Sequence, residues 1–348
     1  MPDPSSPISY KSAGVDIDNA DATKKAMATS LETKSPLVLN AFGAFASLLD
    51  GSFKGYKEPV LVCKTEEPGS KQLIAFQHDK IESVCEDLIN HLINDIIVMG
   101  ATPVFFQDCI ICGKLESDKV KRIVKGMADA CRAQDCILTG GETSEQPGVI
   151  PAGTYILTSS GIGVAEKSKV IDGSAIKKGD RVLAVASSGL HTNGYTLVRK
   201  LMEAKPEILK ETIDGKSFID TVLIPHRCYW KPLKDLMKQP SLHGMAHITG
   251  GGIEGNLNRI LPKNLDASID ASAIKILPIF KVIKKYSGST DVDMRRTYNL
   301  GAGMTIVVSA DAVAETIRHF ESLKIDTYAI GEIVDGNGEV EMKGKLKW

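Results

Sequence analysis

The chain has 348 residues, of which 43% are hydrophobic and 24% are charged, and its formal net charge at pH 7 is −1. Two domains are expected at this length, because single cores stop growing at about 250–300 residues. The balanced charge argues against a nucleic-acid partner. The apolar runs are too short to span a bilayer and the polar N-terminus is not a secretory signal, so no membrane association is expected. The seven scattered cysteines are typical of reduced thiols in a cytoplasmic protein.

The first part of the chain alternates polar segments with short apolar ones. Residues 1–20 are polar and predict a mobile arm, and a helix is expected from about Ala22 to Leu31. Pro59 to Cys63 predicts a strand, and residues 64–71 predict a charged loop after it. Leu73 to Phe76 is interpreted as a second strand.

The clearest helix is predicted from Ile81 to Met99, where apolar residues recur at helical spacing. Gly100 and Pro103 are expected to end it. The polar residues of the other face are Glu82, Glu86, Asp87, Asn90, His91, Asn94 and Asp95. His91 and Asp95 stand four positions apart and could chelate a metal ion, but a solvated helix face is the preferred interpretation.

Strands and helices continue to alternate after this helix, which argues for an α/β or mixed α+β domain. The predicted elements are a strand at Val104–Ile111, a helix at Lys119–Ala133, a strand at Cys136–Thr139, a Gly-rich loop at 140–148 and a strand at Tyr155–Val164. Cys109 and Cys112, followed by Cys131 and Cys136, loosely resemble a zinc ribbon. Buried thiols are preferred, because the first pair lies in an apolar strand without a knuckle glycine.

The polar stretch 165–180 is the best domain boundary, and it divides the chain into residues 1–170 and 171–348. Beyond it the predicted elements are a strand at Arg181–Ala186, a loop and a helix within 187–202, a second Gly-rich loop at 247–256 before a short helix, a strand at Gly303–Ser309, a helix at Ala310–Leu323, a strand at Tyr328–Val334 and a hairpin turn at Asp335–Gly338.

The loop after Ala186 has features of a phosphate site. Glycines let a backbone approach a phosphate closely, and the start of a helix offers unpaired N–H groups and a partial positive charge. Gly189 and Gly194 have the spacing of a P-loop, but Tyr195 and Thr196 stand where Lys and Ser/Thr are required. A phosphate loop and an ordinary strand-to-helix turn both remain open.

Several acidic residues stand near the predicted loops. Glu66 follows a strand, Glu142 follows two glycines, Asp95 lies on the polar face of the predicted helix and Asp108 lies within a strand. Hard cations such as Mg²⁺ take carboxylate oxygens and are commonly shared with nucleotide phosphates. Acids from different loops could therefore hold Mg²⁺ with ATP, although solvated loop acids would give the same pattern.

Two histidines and two lysines also stand in positions that suit phosphate chemistry. His191 lies inside the first Gly-rich loop and His247 opens the second, where a histidine can act as a general acid or base or contact phosphate. Lys11 and Lys71 are possible phosphate cations. A histidine bonded within a turn and a lysine on the surface are the alternatives.

Taken together, these stretches resemble the aminoimidazole ribonucleotide synthetase (phosphoribosylformylglycinamidine cyclo-ligase) family, from Tyr10 to about Gly331. The agreement comes in order along nearly the whole chain, which is more specific than any single motif. Its most extended segments are Tyr10-Lys11-x-Ala13-Gly14-Val15-Asp16-Ile17, Gly140-Gly141-Glu142-Thr143-x-Glu145-x-Pro147-Gly148, Ser187-Ser188-Gly189-x-His191-x-Asn193-Gly194-Tyr195 and Ala246-His247-x-Thr249-Gly250-Gly251-Gly252.

The resemblance implies an ATP-dependent ring closure of formylglycinamidine ribonucleotide to aminoimidazole ribonucleotide, ADP and phosphate, in purine biosynthesis. The formyl oxygen would attack the γ-phosphate of ATP, and a neighbouring nitrogen would then close the ring and expel phosphate. The resemblance also implies ATP and Mg²⁺ as cofactors and two α/β domains with mixed sheets packed with helices. It further implies a homodimer in which the N-terminal sheets pair across the interface.

By position, the resemblance assigns Lys11, Asp95 and His191 to catalysis. The nucleotide-binding residues would be Glu66, Lys71, Asp95, Gly140, Gly141 and Glu142. Of these, Glu66, Asp95 and Glu142 would bind Mg²⁺. The phosphoribosyl substrate would contact Ser188, Gly189, His191, Asn193, Gly194, His247, Thr249, Gly250 and Gly251.

One stretch departs from the family pattern. The family usually shows Gly-Thr-Asp-Gly-Val-Gly-Thr-Lys after the early strand, whereas this chain has Lys64-Thr65-Glu66-Glu67-Pro68-Gly69-Ser70-Lys71. Glu66 replaces the metal-binding Asp, and two glycines are replaced by Lys64 and Glu67. Two alternatives to a cyclo-ligase stay open. One is a related ATP-dependent synthetase or kinase of the same superfamily, such as selenophosphate synthetase or thiamine-phosphate kinase. The other, which the departure supports, is a catalytically silent regulatory paralogue.

Overall fold

The structure is a computed structural model that describes residues 14–33, 35–40 and 43–348. Lys11 and most of the predicted N-terminal arm lie outside the described residues. Within the described segments, the helices are all too short or too polar to cross a membrane.

The N-terminal elements form a layered α/β unit. In chain order they are α1 Ile17–Leu31, β1 Pro59–Glu66, α2 Lys71–Gln77, α3 Ile81–Ile97, β2 Thr102–Cys112, α4 Ser117–Ala133, β3 Ile137–Glu145 and β4 Tyr155–Glu166. The strands form a sheet in the order β1-β4-β2-β3, antiparallel except for the parallel pair β2 and β3. Buried residues of α3 and α4 form the core on one face of this sheet.

The C-terminal elements build a second mixed sheet. They are β5 Arg181–Ala186, α5 Tyr195–Ala204, β6 Thr212–Ile213, β7 Lys216–Ser217, α6 Phe218–Val222, α7 Trp230–Leu233, β8 Leu242–His247, α8 Gly252–Leu257, β9 Leu265–Asp270, α9 Pro278–Ser287, α10 Asp291–Thr297, β10 Ala302–Val308, α11 Val313–Ser322, β11 Thr327–Asp335 and β12 Val340–Lys343. The main sheet has the order β12-β9-β11-β5-β10-β8, and only β12 and β9 pair in parallel. The predicted α/β class with mixed sheets is confirmed.

Helix α3 is buried on both faces, so the predicted solvated face is wrong. Its apolar stripe packs on the N-terminal sheet, and the side chains of Asp87, Asn90, His91 and Asn94 are buried as well. The C-terminal part of the chain covers this polar face and supplies hydrogen bonds to it, while Asp87 Oδ2 is buried without a hydrogen-bond partner among the described residues. The side chain of Asn90 donates to the His226 carbonyl at 2.7 Å, and that of Asn94 donates to the Arg227 carbonyl at 2.8 Å and accepts from the Tyr229 amide at 2.9 Å.

A buried ion pair joins the same surfaces. Lys71 and Asp87 are both fully buried, and Lys71 Nζ lies 2.8 Å from Asp87 Oδ1. The ammonium also donates to the carbonyls of His191 at 3.1 Å and Ile224 at 2.8 Å. Burial lowers the pKa of Lys71, although the charge of Asp87 opposes this shift. Lys71 therefore connects α2, α3 and the C-terminal part of the chain.

Several predicted boundaries in the N-terminal part are wrong for identifiable reasons. Helix α1 begins at Ile17, before the expected Ala22, because the Asp16 carboxylate caps it by accepting from the Asn19 amide at 3.2 Å. Strand β1 continues through Glu66 into the predicted loop. The predicted strand at 73–76 is wrong, because these residues lie in helix α2. A four-residue apolar run has no distinctive period, so it does not distinguish a strand from a helix.

Two turn signals were also misinterpreted. The predicted loop at 140–148 begins as part of β3, where Gly141 passes so close to β2 that a Cβ atom would lie 1.9 Å from the Asp108 carbonyl oxygen. The turn at Asp335–Gly338 does not close a hairpin, because β12 pairs with β9 instead of β11. The carboxylate of Asp266 holds this crossover by accepting from three successive amides at 337–339.

Substitution of Lys71 by Met should lower the free energy of unfolding by about 3–5 kcal/mol, because it leaves the Asp87 carboxylate buried without its cation. Urea denaturation measures this loss. The matched control is Lys125→Met, which breaks an exposed pair with Asp129 and should cost less than about 1 kcal/mol. Equal effects of the two substitutions would contradict the tethering role of Lys71.

Candidate functional site

A histidine and a carboxylate from the two halves of the chain meet at the polar face of α3. His247 lies at the end of β8, and its Nδ1 is 2.7 Å from Asp95 Oδ1 of α3. Burial alone would raise the pKa of Asp95, but the hydrogen bond and the charge of His247 outweigh burial, and the pKa lies below its usual range. A charged carboxylate only accepts, so the proton of this bond belongs to His247 Nδ1.

The second oxygen of Asp95 faces a lysine. Lys64 Nζ lies 3.0 Å from Asp95 Oδ2 and 2.8 Å from Glu66 Oε1. Burial opposes the charge of Lys64, but the hydrogen bonds that it donates to Glu66 and Asp95, together with their charges, outweigh burial and raise its pKa. His91 Nε2 approaches the same two carboxylates at 3.8 Å and 3.7 Å. The result is a compact group of two acids, one ammonium and one imidazole.

Two further histidines extend this group into the interior. His226 Nε2 is 2.9 Å from His247 Nε2, and the ring of His191 stacks on that of His226 with centroids 3.9 Å apart. His191 Nε2 accepts from the Ser188 amide at 3.2 Å. The Nδ1 atoms of His191 and His226 are buried and have no hydrogen-bond partner among the described residues.

Burial favours the neutral form of His91, His191 and His226. Burial lowers the pKa of His91 to about 4, with His247 adding to the effect. Burial also lowers the pKa of His191 and of His226 well below the ordinary value, and neighbouring histidines reinforce both shifts. His191 is enclosed, which suits a residue that positions its neighbours. Its role as general acid or base stays a prediction.

The loop 187–194 is held in place by its own backbone and by neighbours. The Ser188 hydroxyl donates to the Pro225 carbonyl at 2.7 Å, and the Gly189 carbonyl accepts from the Asn299 side chain at 3.0 Å. Gly194 has a φ of 79°, and a Cβ atom there would lie 2.1 Å from the Tyr298 ring. Helix α5 starts directly after Gly194, without a side-chain cap from the described residues. Its first amides therefore remain available to an anion.

The second Gly-rich loop lies against the first. Asn193 Oδ1 is 3.3 Å from the position that a Cβ atom of Gly250 would take. The Thr249 hydroxyl donates to Asn256 Oδ1 at 3.2 Å, and Gly251 has a φ of 98°. The two loops thus meet at Asn193 and Gly250, close to the end of β8 where His247 contacts Asp95. The region between these two loops and Asp95 is called the cleft below.

The remaining predicted residues lie elsewhere. Gly140, Gly141 and Glu142 line a cavity of about 1110 Å³ together with Asp108 and residues of α1. The backbones of Glu66 and Glu142 are about 14 Å apart, because β4 and β2 separate β1 from β3. Of the three predicted Mg²⁺ ligands, Glu66 and Asp95 therefore lie together, while Glu142 lies apart from them beside Asp108. Burial raises the pKa of Asp108 to about 7, with Glu142 adding to the shift.

The positions of Lys71, Lys64 and His226 were not evident from the sequence. Lys71 was predicted to bind nucleotide, but its ammonium donates to three protein acceptors. Lys64 could have been suspected, because it shares one face of a strand with Glu66. His226 follows a proline in an irregular segment, which gives no signal of its partners. None of the seven cysteines, all of which lie in the described part of the chain, forms a disulfide, and Cys85, Cys112, Cys131 and Cys136 are buried while Cys109 is partly buried.

Comparison with known proteins identifies the family. Residues 56–165 match the family described as AIR synthase related protein, N-terminal domain, and residues 177–343 match its C-terminal domain. Proteins from Burkholderia cenocepacia and Burkholderia ambifaria named phosphoribosylformylglycinamidine cyclo-ligase are 42% identical over 327 residues, covering 94% of this chain and 93% of each relative. The chain belongs to the AIR synthase family.

Solved structures share the fold of this AIR synthase family member at lower identity. The hydrogenase maturation protein HypE from E. coli has a TM-score of 0.68 at 17% identity, covering 93% of this chain and 94% of that one. Thiamine-monophosphate kinase from Stenotrophomonas maltophilia has a TM-score of 0.64 at 17% identity, covering 95% and 96%. These likenesses extend over both halves of the chain, so the arrangement of the two sheets recurs among these proteins.

The neutral histidines should make stability depend on acidity. As pH falls below about 6.5, the unfolded chain takes up protons on these rings while the folded chain does not, so each ring removes up to about 1.4 kcal/mol of stability per pH unit. His226→Gln should reduce the slope of unfolding free energy against pH by up to that amount between about pH 6.5 and pH 4.5. Urea denaturation across this range measures the slope.

The matched control is His78→Gln, which removes an exposed ring. Its slope should equal that of the unsubstituted protein. An unchanged slope in His226→Gln would show that His226 is not held neutral by the fold.

Proposed function

We propose that this chain catalyses the ATP-dependent ring closure of formylglycinamidine ribonucleotide to aminoimidazole ribonucleotide, as a cytoplasmic enzyme of purine biosynthesis. The observation that carries the proposal is the 42% identity, over 94% of the chain, to proteins named phosphoribosylformylglycinamidine cyclo-ligase. The cleft at the end of β8 supports it, because two glycine-rich loops and a histidine–carboxylate pair converge there.

The cleft offers groups that suit a phosphoribosyl substrate. We assign the substrate phosphate to the start of α5, where the amides after Gly194 point outward from a helix with a partial positive charge. Asn193, Thr249 and Gly250 would contact the ribose and the amidine group. Asp95 fixes the ring of His247 and stabilises its charged form, so this pair would receive the proton that leaves the attacking nitrogen.

ATP is assigned to the cavity lined by Gly140, Gly141 and Glu142. Its volume of about 1110 Å³ is ample for a nucleotide. Support comes from two proteins of the same fold, because HypE was solved in complex with ATP and PurL from T. maritima was solved with AMPPCP. Lys11 would approach the phosphates from the N-terminal arm.

The donor chemistry of the cavity fits Mg²⁺. Asp108 and Glu142 lie close enough for their charges to interact, and that repulsion contributes to the raised pKa of Asp108, so a hard cation between them would be favoured. Bound Mg²⁺ would neutralise charge on the phosphates during transfer. The pair Glu66 and Asp95 is different, because Lys64 already neutralises it.

The reaction then needs two steps. In the first, the formyl oxygen attacks the γ-phosphorus and the bond to the β-phosphate oxygen breaks, which releases ADP. In the second, the neighbouring nitrogen attacks the activated carbon, the carbon–oxygen bond breaks, and phosphate leaves with its electron pair. The enzyme accelerates both by holding the reacting atoms together and by turning a poor oxygen leaving group into phosphate.

A homodimer is part of the proposal. One face of the N-terminal sheet is covered by α3 and α4, while the other carries exposed apolar side chains such as Leu61 and Ile156. An exposed apolar sheet face of this kind favours a protein partner, and a second copy of this chain would pair sheet against sheet.

The function is tested by ADP release from Mg²⁺–ATP with and without formylglycinamidine ribonucleotide. Release should depend on this substrate, with aminoimidazole ribonucleotide appearing in equal amount. A folded protein that binds ATP but releases no ADP would contradict the proposal and favour the silent paralogue.

Asp95→Asn should reduce kcat by at least about 100-fold, because the amide cannot stabilise a charged His247 ring. The matched control is Asp180→Asn, which alters a second buried pair, with His243 Nδ1 2.6 Å from Asp180 Oδ2. The control should change stability and leave kcat within about twofold. Equal losses of kcat in both variants would contradict the role of Asp95.

Leu61→Glu should convert the dimer to a monomer in light scattering, because it places a charge on the apolar sheet face that would form the interface. Leu209→Glu is the control, since Leu209 is a similarly exposed leucine of the C-terminal part. An unsubstituted protein that is monomeric at micromolar concentration would refute the dimer.

A further inference from the structure

The cleft contains a cation that belongs to the chain itself. We propose that the Lys64 ammonium is a tethered cation that occupies the position between Glu66 and Asp95 where a divalent metal ion would otherwise bind. The importance of this position for the reaction rests on the proposed function, but the contacts that define it do not.

The side chain of Lys64 is directed to this position by the strand. Lys64 and Glu66 are two residues apart in β1 and therefore point to the same face of the sheet, towards α3. Asp95 approaches from α3, so the two carboxylates come from different elements. Their oxygens lie 2.8 Å and 3.0 Å from the same nitrogen atom. A single ammonium thus bridges two acids that would otherwise repel each other.

Without the ammonium, the same atoms would form a metal site. Glu66 Oε1 and Asp95 Oδ2 supply two oxygens, and His91 Nε2 lies 3.8 Å and 3.7 Å from them. His91, Asp95 and His247 also place possible ligand atoms within 4.8 Å of one another. Two carboxylates with an imidazole suit Mn²⁺ or Zn²⁺ better than Mg²⁺, which prefers oxygen ligands and retained water.

The ammonium and a divalent ion exclude each other. A metal ion bound between Glu66 and Asp95 would lie where Lys64 Nζ lies. The positive charges of the ion and the ammonium would repel each other strongly at such close range. The lysine also has an advantage over a free ion, because its tether gives it a high effective concentration at the site. The chain therefore fixes one positive charge in the cleft that does not depend on metal supply.

The test is a titration with Mn²⁺, followed by electron paramagnetic resonance, in the absence of nucleotide. The first variant is Lys64→Met, whose side chain has nearly the same length as lysine but no charge. The second is Lys64→Gln, which allows the same titration if Lys64→Met does not fold. Each should bind one more Mn²⁺ per chain than the unsubstituted protein. Lys64→Arg keeps a cation and should bind no extra ion. Lys57→Met is the control for loss of an exposed lysine from the same region.

The extra ion should disappear when Asp95→Asn or His91→Gln is added to Lys64→Met. An unchanged number of Mn²⁺ ions in folded Lys64→Met and Lys64→Gln would overturn the proposal, and so would an extra ion that persists after Asp95→Asn. Failure of the proposed function has a different signature, because substrate-dependent ADP release would be missing while the extra Mn²⁺ site still appeared in the variants.

Discussion

The burial of the polar face of α3 is the constraint on which the rest of the structure depends. Asp87, Asn90, His91, Asn94 and Asp95 could not leave water without partners, because each unsatisfied buried polar group costs about 1–3 kcal/mol. The segments around His226 and His247 supply those partners. The contact between the two halves of the chain is therefore polar and specific, and the candidate site is the part of it that opens to solvent.

This arrangement explains why so many ionisable groups stay together without disrupting the fold. Two sets of charges compensate each other here: Lys71 faces Asp87, and Lys64 faces Glu66 and Asp95. Burial favours the neutral form of His91, His191 and His226. His226 shares a hydrogen bond with His247, and His191 stacks on His226. Binding energy for a charged substrate is available because the groups are fixed before the substrate arrives and need little reorganisation.

Sequence periodicity and glycine patterns were sufficient to predict the strand at Arg181–Ala186, the loops on either side of the cleft and the apolar stripe of α3. They could not reveal that the opposite stripe was covered, because coverage comes from residues more than 100 positions away in the chain. The sequence likewise does not show that the partners of Lys71 are protein groups, or that His226 joins the site, because these contacts also come from residues far away in the chain. Glu66 and Glu142 were grouped by chemistry, whereas the strand order separates them by two intervening strands.

Side-chain nitrogen NMR of the histidines tests the central claim, which is that the two halves of the chain enclose the polar face of α3. Long-range ¹H–¹⁵N spectra would be recorded from about pH 8 to about pH 5.5, with the exposed His78 as the reference ring. The account predicts that His91, His191 and His226 remain neutral throughout this range. Protonation of these three rings near the ordinary histidine pKa in the folded protein would show that water reaches them and would contradict the enclosed site.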